Sequence, residues 1–243
     1  MADEVVIERR FRGPPASANG GYTCGLIAGA LGARTAEVNL RIPPPLERGL
    51  ALADEADAAQ LLDGADTVAD GRRLDSVELD LPDPPPFHDA ENADLRSEFY
   101  DDHSFPGCFV CGPDRDPGDG LCIYPGHVDA HEMLACVWTP DLSLAGANGA
   151  VRDEFTWAAL DCPSGIAAHH YAPDEGAMVL ARLRGHIEER IEPGQPQIVI
   201  GWPVERDGRK HRAGTAIFDA SGKPLAWADA LWIELRRTPV AGV

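Results

Sequence analysis

Two short stretches of this chain carry residue types at a spacing that could do chemistry. The first runs from Glu154 to Gly165 and places Asp161 directly after Trp157, Ala158, Ala159 and Leu160, inside an otherwise apolar helical pattern. A carboxylate in a helix that packs on other elements costs free energy unless it is paired or used. Burial would raise its pKa and suit it to act as a base or a nucleophile. Two plainer roles stay open for Asp161: a place on the exposed stripe of the helix, or a cap for the turn at Cys162-Pro163-Ser164-Gly165. Ser164 could orient Asp161 or a water, or simply belong to that turn. Glu154 is a second carboxylate, but an acid in a helix's first turn has an ordinary electrostatic explanation.

The second stretch is Asn19-Gly20-Gly21, which follows a Pro-Pro turn and opens the small, apolar segment Tyr22–Leu31. The first amides of a helix have no partner within it, so they seek anions and can stabilise an oxygen that gains charge in a transition state. Glycines there let a substrate approach the backbone closely. The amides of Gly21 and Tyr22 would face that oxygen, and Asn19 would either hold the ligand or cap the helix. Arg182 and Arg184 share one face of a strand and, with Arg209, Lys210 and Arg212, could meet phosphates; the alternative is a solvated strand face. Trp157 and Trp138 would line a ligand channel or fill the core.

Cys108-x-x-Cys111-Gly112 has the spacing of half a zinc site. No second pair matches it, although His88, His103 and the pair His169-His170 offer further ligands. Reduced thiols at a structural turn are the favoured reading, ahead of zinc or a redox pair. Six cysteines in a chain this long do not suggest a disulfide framework. Cys24, Cys122, Cys136 and Cys162 lie in apolar stretches, as buried thiols do.

The elements that must position these residues come from a chain of 243 residues, enough for one large domain or two small ones. Its formal net charge of −19 argues against a nucleic-acid surface, which needs clustered Lys and Arg. No apolar run approaches the ~20 residues of a membrane helix. The start Met1-Ala2-Asp3-Glu4 lacks the basic and apolar regions of a signal peptide, so a cytoplasmic location is expected.

In the N-terminal half, strands are predicted over Val5–Arg12, Thr35–Ile42, Gly49–Glu55, Ala65–Ala69 and Ser76–Leu81, with the helix at Tyr22–Leu31. The Pro-rich, acidic stretch 83–106 reads as a connector with one short helix within Asp89–Asp102. The C-terminal half has strands at Leu121–Tyr124 and His131–Trp138, then a helix over Glu154–Ala168. A meander follows at Met178–Glu188, Gln197–Glu205, Lys210–Asp219 and Pro224–Glu234. Turns at Asp207-Gly208 and Ser221-Gly222 are strong hairpin signals. Both halves share one order of elements, which makes an α+β chain of two units, 1–82 and 107–243.

A helix wrapped by a curved antiparallel sheet, twice in one chain, resembles the double-hotdog form of the hotdog acyl-CoA thioesterase superfamily. The run Glu154–Gly165, Asn19-Gly20-Gly21 in place of a frequent His-Gly-Gly, and Cys108–Leu121, similar to the entry of PaaI-like domains, carry the likeness. It implies a site shared between two helices, with Asp161 as base or nucleophile and Asn19, Gly20 and Gly21 as the oxyanion end. Tyr22, Trp157, Ser164, Arg182 and Arg184 would then bind the substrate, a small or medium acyl thioester such as an ester of coenzyme A. No metal or redox cofactor is required, and a homodimer would be compatible with the fold. Ala28 stands near the position matching Asp161, and Val151-Arg152-Asp153-Glu154 replaces the glycine-led start, so one of two pseudo-equivalent sites is expected to survive. The rival is a non-catalytic acyl-CoA or lipid-binding module.

Overall fold

The computed structural model describes residues 3–100, 103–129, 131–172 and 176–235. In chain order the elements are β1 (Asp3–Val6), α1 (Gly20–Ala30), β2 (Thr35–Leu40), β3 (Gly49–Glu55), β4 (Ala58–Asp63), β5 (Asp66–Arg73) and α2 (Phe87–Asp94). There follow β6 (Gly126–His127), β7 (Leu134–Trp138), α3 (Asp153–Ala159), α4 (Cys162–His170), β8 (Met178–Ile187), β9 (Gln197–Asp207), β10 (Lys210–Asp219) and β11 (Pro224–Glu234). The strands form one sheet in the order β1-β3-β4-β5-β2-β8-β11-β10-β9-β7-β6. Strands from before residue 74 occupy one end and later ones the other. They meet where β2 pairs antiparallel with β8, Val38 opposite Leu183 and Ala36 opposite Gly185.

Turn chemistry sets most of these boundaries. Gly208 and Gly222 adopt φ of 56° and 89°, the left-handed region that Asp-Gly and Ser-Gly turns supply. Asp63-Gly64 is a third such turn, and it makes Ala58–Arg73 a hairpin of two strands where the sequence reading had only Ala65–Ala69. Val5–Arg12 is strand only as far as Val6, and a 3-10 turn occupies Arg9–Phe11. Ser76–Leu81 joins no ladder. Leu121–Tyr124 is also outside the sheet; its backbone instead bonds the cysteine turn, through Leu121 N–H to the Phe109 carbonyl and Ile123 N–H to the Val110 carbonyl. The short acidic helix is α2, and Asp101 and Asp102 at the end of that stretch lie outside the described residues.

Helices α1, α3 and α4 lie on one face of the sheet and share the main apolar core. The first two approach as closely as backbones can. A Cβ on Gly21 would stand 2.5 Å from the Asp161 Cβ, and one on Gly25 would stand 2.5 Å from the Glu154 Cα, so glycines one turn apart make the contact possible. The predicted single helix over Glu154–Ala168 is two. Pro163 has no amide to donate and its ring excludes the preceding turn, so the helix ends at Ala159 and restarts at Cys162. Asp161 sits in the break, with φ −78° and ψ −80°.

The opposite face of the sheet is covered at one end by the segment from Leu79 through α2, which runs into the connector. Leu79, Leu81, Phe87, Ala90 and Ala93 pack there on β7, β9 and β10 in a second apolar cluster around Ile198, Ile200 and Phe218. At the β2–β8 junction this face carries an ionic network. Asp229, 1 % exposed, meets Arg182 at 3.2 Å and Arg212 at 3.1 Å. Glu37 meets Arg184 at 2.5 Å and Arg72 at 3.1 Å.

Candidate active site

The break between α3 and α4 aims Asp161 across the helix pair at the start of α1. Its Oδ2 accepts from the Asn19 side-chain amide and from the Gly21 backbone amide, both at 2.8 Å. Its side chain makes no cap for α4, where Ser164 bonds the Asp161 backbone carbonyl instead. Asp161 is buried, and its Oδ1 has no hydrogen-bond partner among the described residues. Burial pushes its carboxyl up to about 7; the Gly21 amide opposes this, the Cys108 thiol adds to it, and the Asn19 amide opposes it. Asp161 is therefore poised between its charged and neutral forms near neutral pH.

Asn19 is the hinge of the arrangement. Its Oδ1 caps the helix by accepting from the Tyr22 amide at 2.8 Å, which leaves its NH2 group for Asp161. The loop that presents it is pinned on both sides, by Asn19 N–H to the Phe11 carbonyl and Ala18 N–H to the Pro44 carbonyl, each 2.8 Å. The amides of Gly21 and Tyr22, expected to face a substrate oxygen, are thus already engaged. Gly20, between them and Asn19, lines a cavity.

This cavity measures about 830 Å³. Asn19, Gly20, Asp161 and Cys162 line it, with Leu40, Ile42, Leu180, Ile166, Met178 and Trp232 as apolar lining. The volume falls in the range of small-molecule sites, and the composition, mostly apolar with a few convergent polar groups, is what such sites need.

Five expected contacts do not reach this cavity. Tyr22 stacks on Phe11 in the core, ring centroids 4.3 Å apart. Trp157 is fully buried against Gly185, whose missing side chain makes room for the indole. Ser164 is buried and accepts from the Trp232 indole N–H at 2.9 Å, which makes it a support for a lining residue. Arg182 and Arg184 point from the other face of the sheet into the ionic network, because the register that puts Leu183 in the core puts its neighbours outside. Trp138 is likewise core. Sequence reasoning missed Cys162, Met178 and Trp232 as lining residues. It did not read His103, His169 or Cys108 as lining residues either, yet all three line the cavity.

No protein-family model matches the chain, and neither does any curated protein. Solved structures do. The chain is similar to a conserved protein with a hot dog fold from Alicyclobacillus acidocaldarius, with a TM-score of 0.61 and 9% identity over 97% of this chain and 93% of that one. It is similar to the tesB protein of Mycobacterium avium subs paratuberculosis, with a TM-score of 0.63 and 8% identity over 92% of this chain and 89% of that one. A protein assigned as a thioesterase II from Thermobifida fusca gives a TM-score of 0.63 and 16% identity over 96% and 92% of the two chains. The chain has the hotdog fold. Among the described residues, no helix is long and apolar enough to cross a membrane.

Proposed function

We propose that this protein is a double hotdog, with units over 1–82 and 107–243, and that it hydrolyses a small or medium acyl thioester, such as an acyl ester of coenzyme A. The observation that carries this reading is Asp161: a buried carboxylate at a cavity wall, with one oxygen fixed by two donors and the other unpaired. Such an oxygen can accept a proton from water or add to a carbonyl carbon.

In the hydrolytic step Asp161 Oδ1 takes a proton as water attacks the thioester carbon. The carbonyl oxygen gains charge and is met by the Gly20 amide at the start of α1, aided by the helix dipole. When the intermediate collapses the C–S bond breaks, and the thiolate leaves with the proton held on Asp161. Asn19 and the Gly21 amide keep the carboxylate oriented throughout. The apolar cavity wall would take the acyl chain and exclude bulk water.

Release of free thiol from acyl-CoA esters of graded chain length tests the proposal. Turnover by the wild-type protein that is abolished in Asp161→Asn, with ester binding retained, supports it. Binding of the same esters by wild type with no thiol released would instead support a non-catalytic acyl-CoA-binding module.

A further inference from the structure

Beside the carboxylate lies a cluster that the hydrolytic reading does not use. Cys108 and Cys111 come from the turn after the connector and Cys162 from the start of α4. Their three sulfur atoms lie within 4.8 Å of one another, all buried. The Cys108 and Cys162 sulfurs are 3.6 Å apart. Sulfur ligands about 2.3 Å from a tetrahedral zinc stand about 3.8 Å from each other, so this pair already has the spacing of two ligands of one ion. A disulfide would need about 2.05 Å.

The turn is shaped for the task. Gly112 N–H closes it on the Cys108 carbonyl at 3.0 Å, and a Cβ at Gly112 would stand 2.4 Å from the Pro106 carbonyl oxygen. A nitrogen lies beside the sulfur group but outside it: His103 Nε2 is 3.1 Å from the Cys111 sulfur and must move to reach all three sulfurs. Its Nδ1 accepts the Phe105 amide at 2.9 Å, a contact that would open as the ring proton moves to Nδ1 on metal binding.

We propose that Cys108, Cys111 and Cys162, completed by His103, form a tetrahedral site for a soft divalent cation, zinc before others. Three thiolates and an imidazole suit a closed structural zinc site. Binding displaces the thiol protons to solvent and involves no change of oxidation state. The ion would tie the loop after the connector to α4 immediately beside Asp161. The Asn19 amide, 3.9 Å from the Cys108 sulfur and 3.8 Å from that of Cys162, would link it to the carboxylate. This site goes beyond the thioester reading and does not depend on it, because metal content is measured without turnover.

The test uses the full chain, expressed with zinc supplied and purified reduced and without chelator. Elemental analysis is expected to find about one zinc per chain. Replacement by Co(II) is expected to give thiolate-to-metal charge-transfer bands and the visible bands of a tetrahedral ion. Cys162→Ser and Cys108→Ser are expected to weaken retention at least about tenfold. Where those variants do not fold, the cobalt spectrum of the wild-type chain decides. Wild-type protein with verified free thiols that holds no zinc and gives no cobalt bands overturns the site. So does recovery of a Cys108–Cys162 disulfide from the same preparation.

Discussion

Gly21→Ala strikes the contact on which the candidate site rests. The added Cβ would stand 2.5 Å from the Asp161 Cβ and 2.6 Å from the Trp157 carbonyl oxygen. Carbon atoms in contact need about 3.5–4.0 Å, so α1 and the α3–α4 break must part by about 1 Å. The 2.8 Å bond from the Gly21 amide to Asp161 would then stretch beyond hydrogen-bonding range. Overpacking costs about 2 kcal/mol and the lost bond to the carboxylate about 2 kcal/mol. Alanine's better helix propensity returns about 1 kcal/mol, leaving a net loss of about 3 kcal/mol. For a chain of this size that lowers the melting temperature by about 6–12 °C. A 1 Å displacement of the reacting carboxylate should also lower turnover about 100-fold. Gly29→Ala is the matched control: it lies on the same helix with nothing beyond its own helical backbone and chain neighbours within 4 Å of its added Cβ, and should raise stability by up to about 1 kcal/mol with turnover unchanged. Calorimetry and thiol release on both variants make the comparison. A Gly21→Ala protein as stable and active as Gly29→Ala would refute the close helix contact and its role in holding Asp161.

Two further substitutions address stability. Burial pushes the Asp94 carboxyl up to about 6, against the opposing bond from Tyr100, so folding favours its protonated form. Its contribution is complete below the unfolded pKa near 3.9 and is lost as pH rises through 6. Asp94→Asn should therefore raise stability at pH 7 by about 1–2 kcal/mol after solvent screening is allowed for, and flatten the pH dependence between about 4 and 6 in denaturant titrations. Asp229→Asn leaves the guanidinium groups of Arg182, Arg184 and Arg212 facing one another without their shared carboxylate. It should cost about 3–5 kcal/mol by the same titrations, whereas Asp70→Asn, at an exposed pair with Arg41, should cost under about 1 kcal/mol.

The C-terminal meander was legible nearly to the residue, because Asp207-Gly208 and Ser221-Gly222 announce their turns and the flanking runs alternate. The hairpin at Asp63-Gly64 carries the same signal. It was lost because Ala58 and Ala59 do not read as strand, and pairing with β3 and β5 decides the matter. Ser76–Leu81 has the alternation of a strand but spends it on the second apolar cluster. At the site, Asp161 and Asn19 could be singled out, since a carboxylate in an apolar run and an Asn-Gly-Gly helix start are local patterns. Which face Arg182 and Arg184 take is not local: a two-residue period gives them one face, and only the sheet's packing says which. Cys162 was beyond reach for a similar reason. Its contact with Cys108 spans 54 positions, and it stands at the helix break that Pro163 makes.

The most direct measurement is thiol release by the wild-type protein and by Asp161→Asn across a series of acyl-CoA esters, with kcat and KM separated. If Asp161 Oδ1 is the group that takes the proton, the variant keeps its shape and its bonds to the cavity wall, KM stays close to wild type, and kcat falls about 100- to 10,000-fold. An Asp161→Asn protein whose kcat matches the wild type would remove the carboxylate from the reaction and with it the proposed catalytic centre.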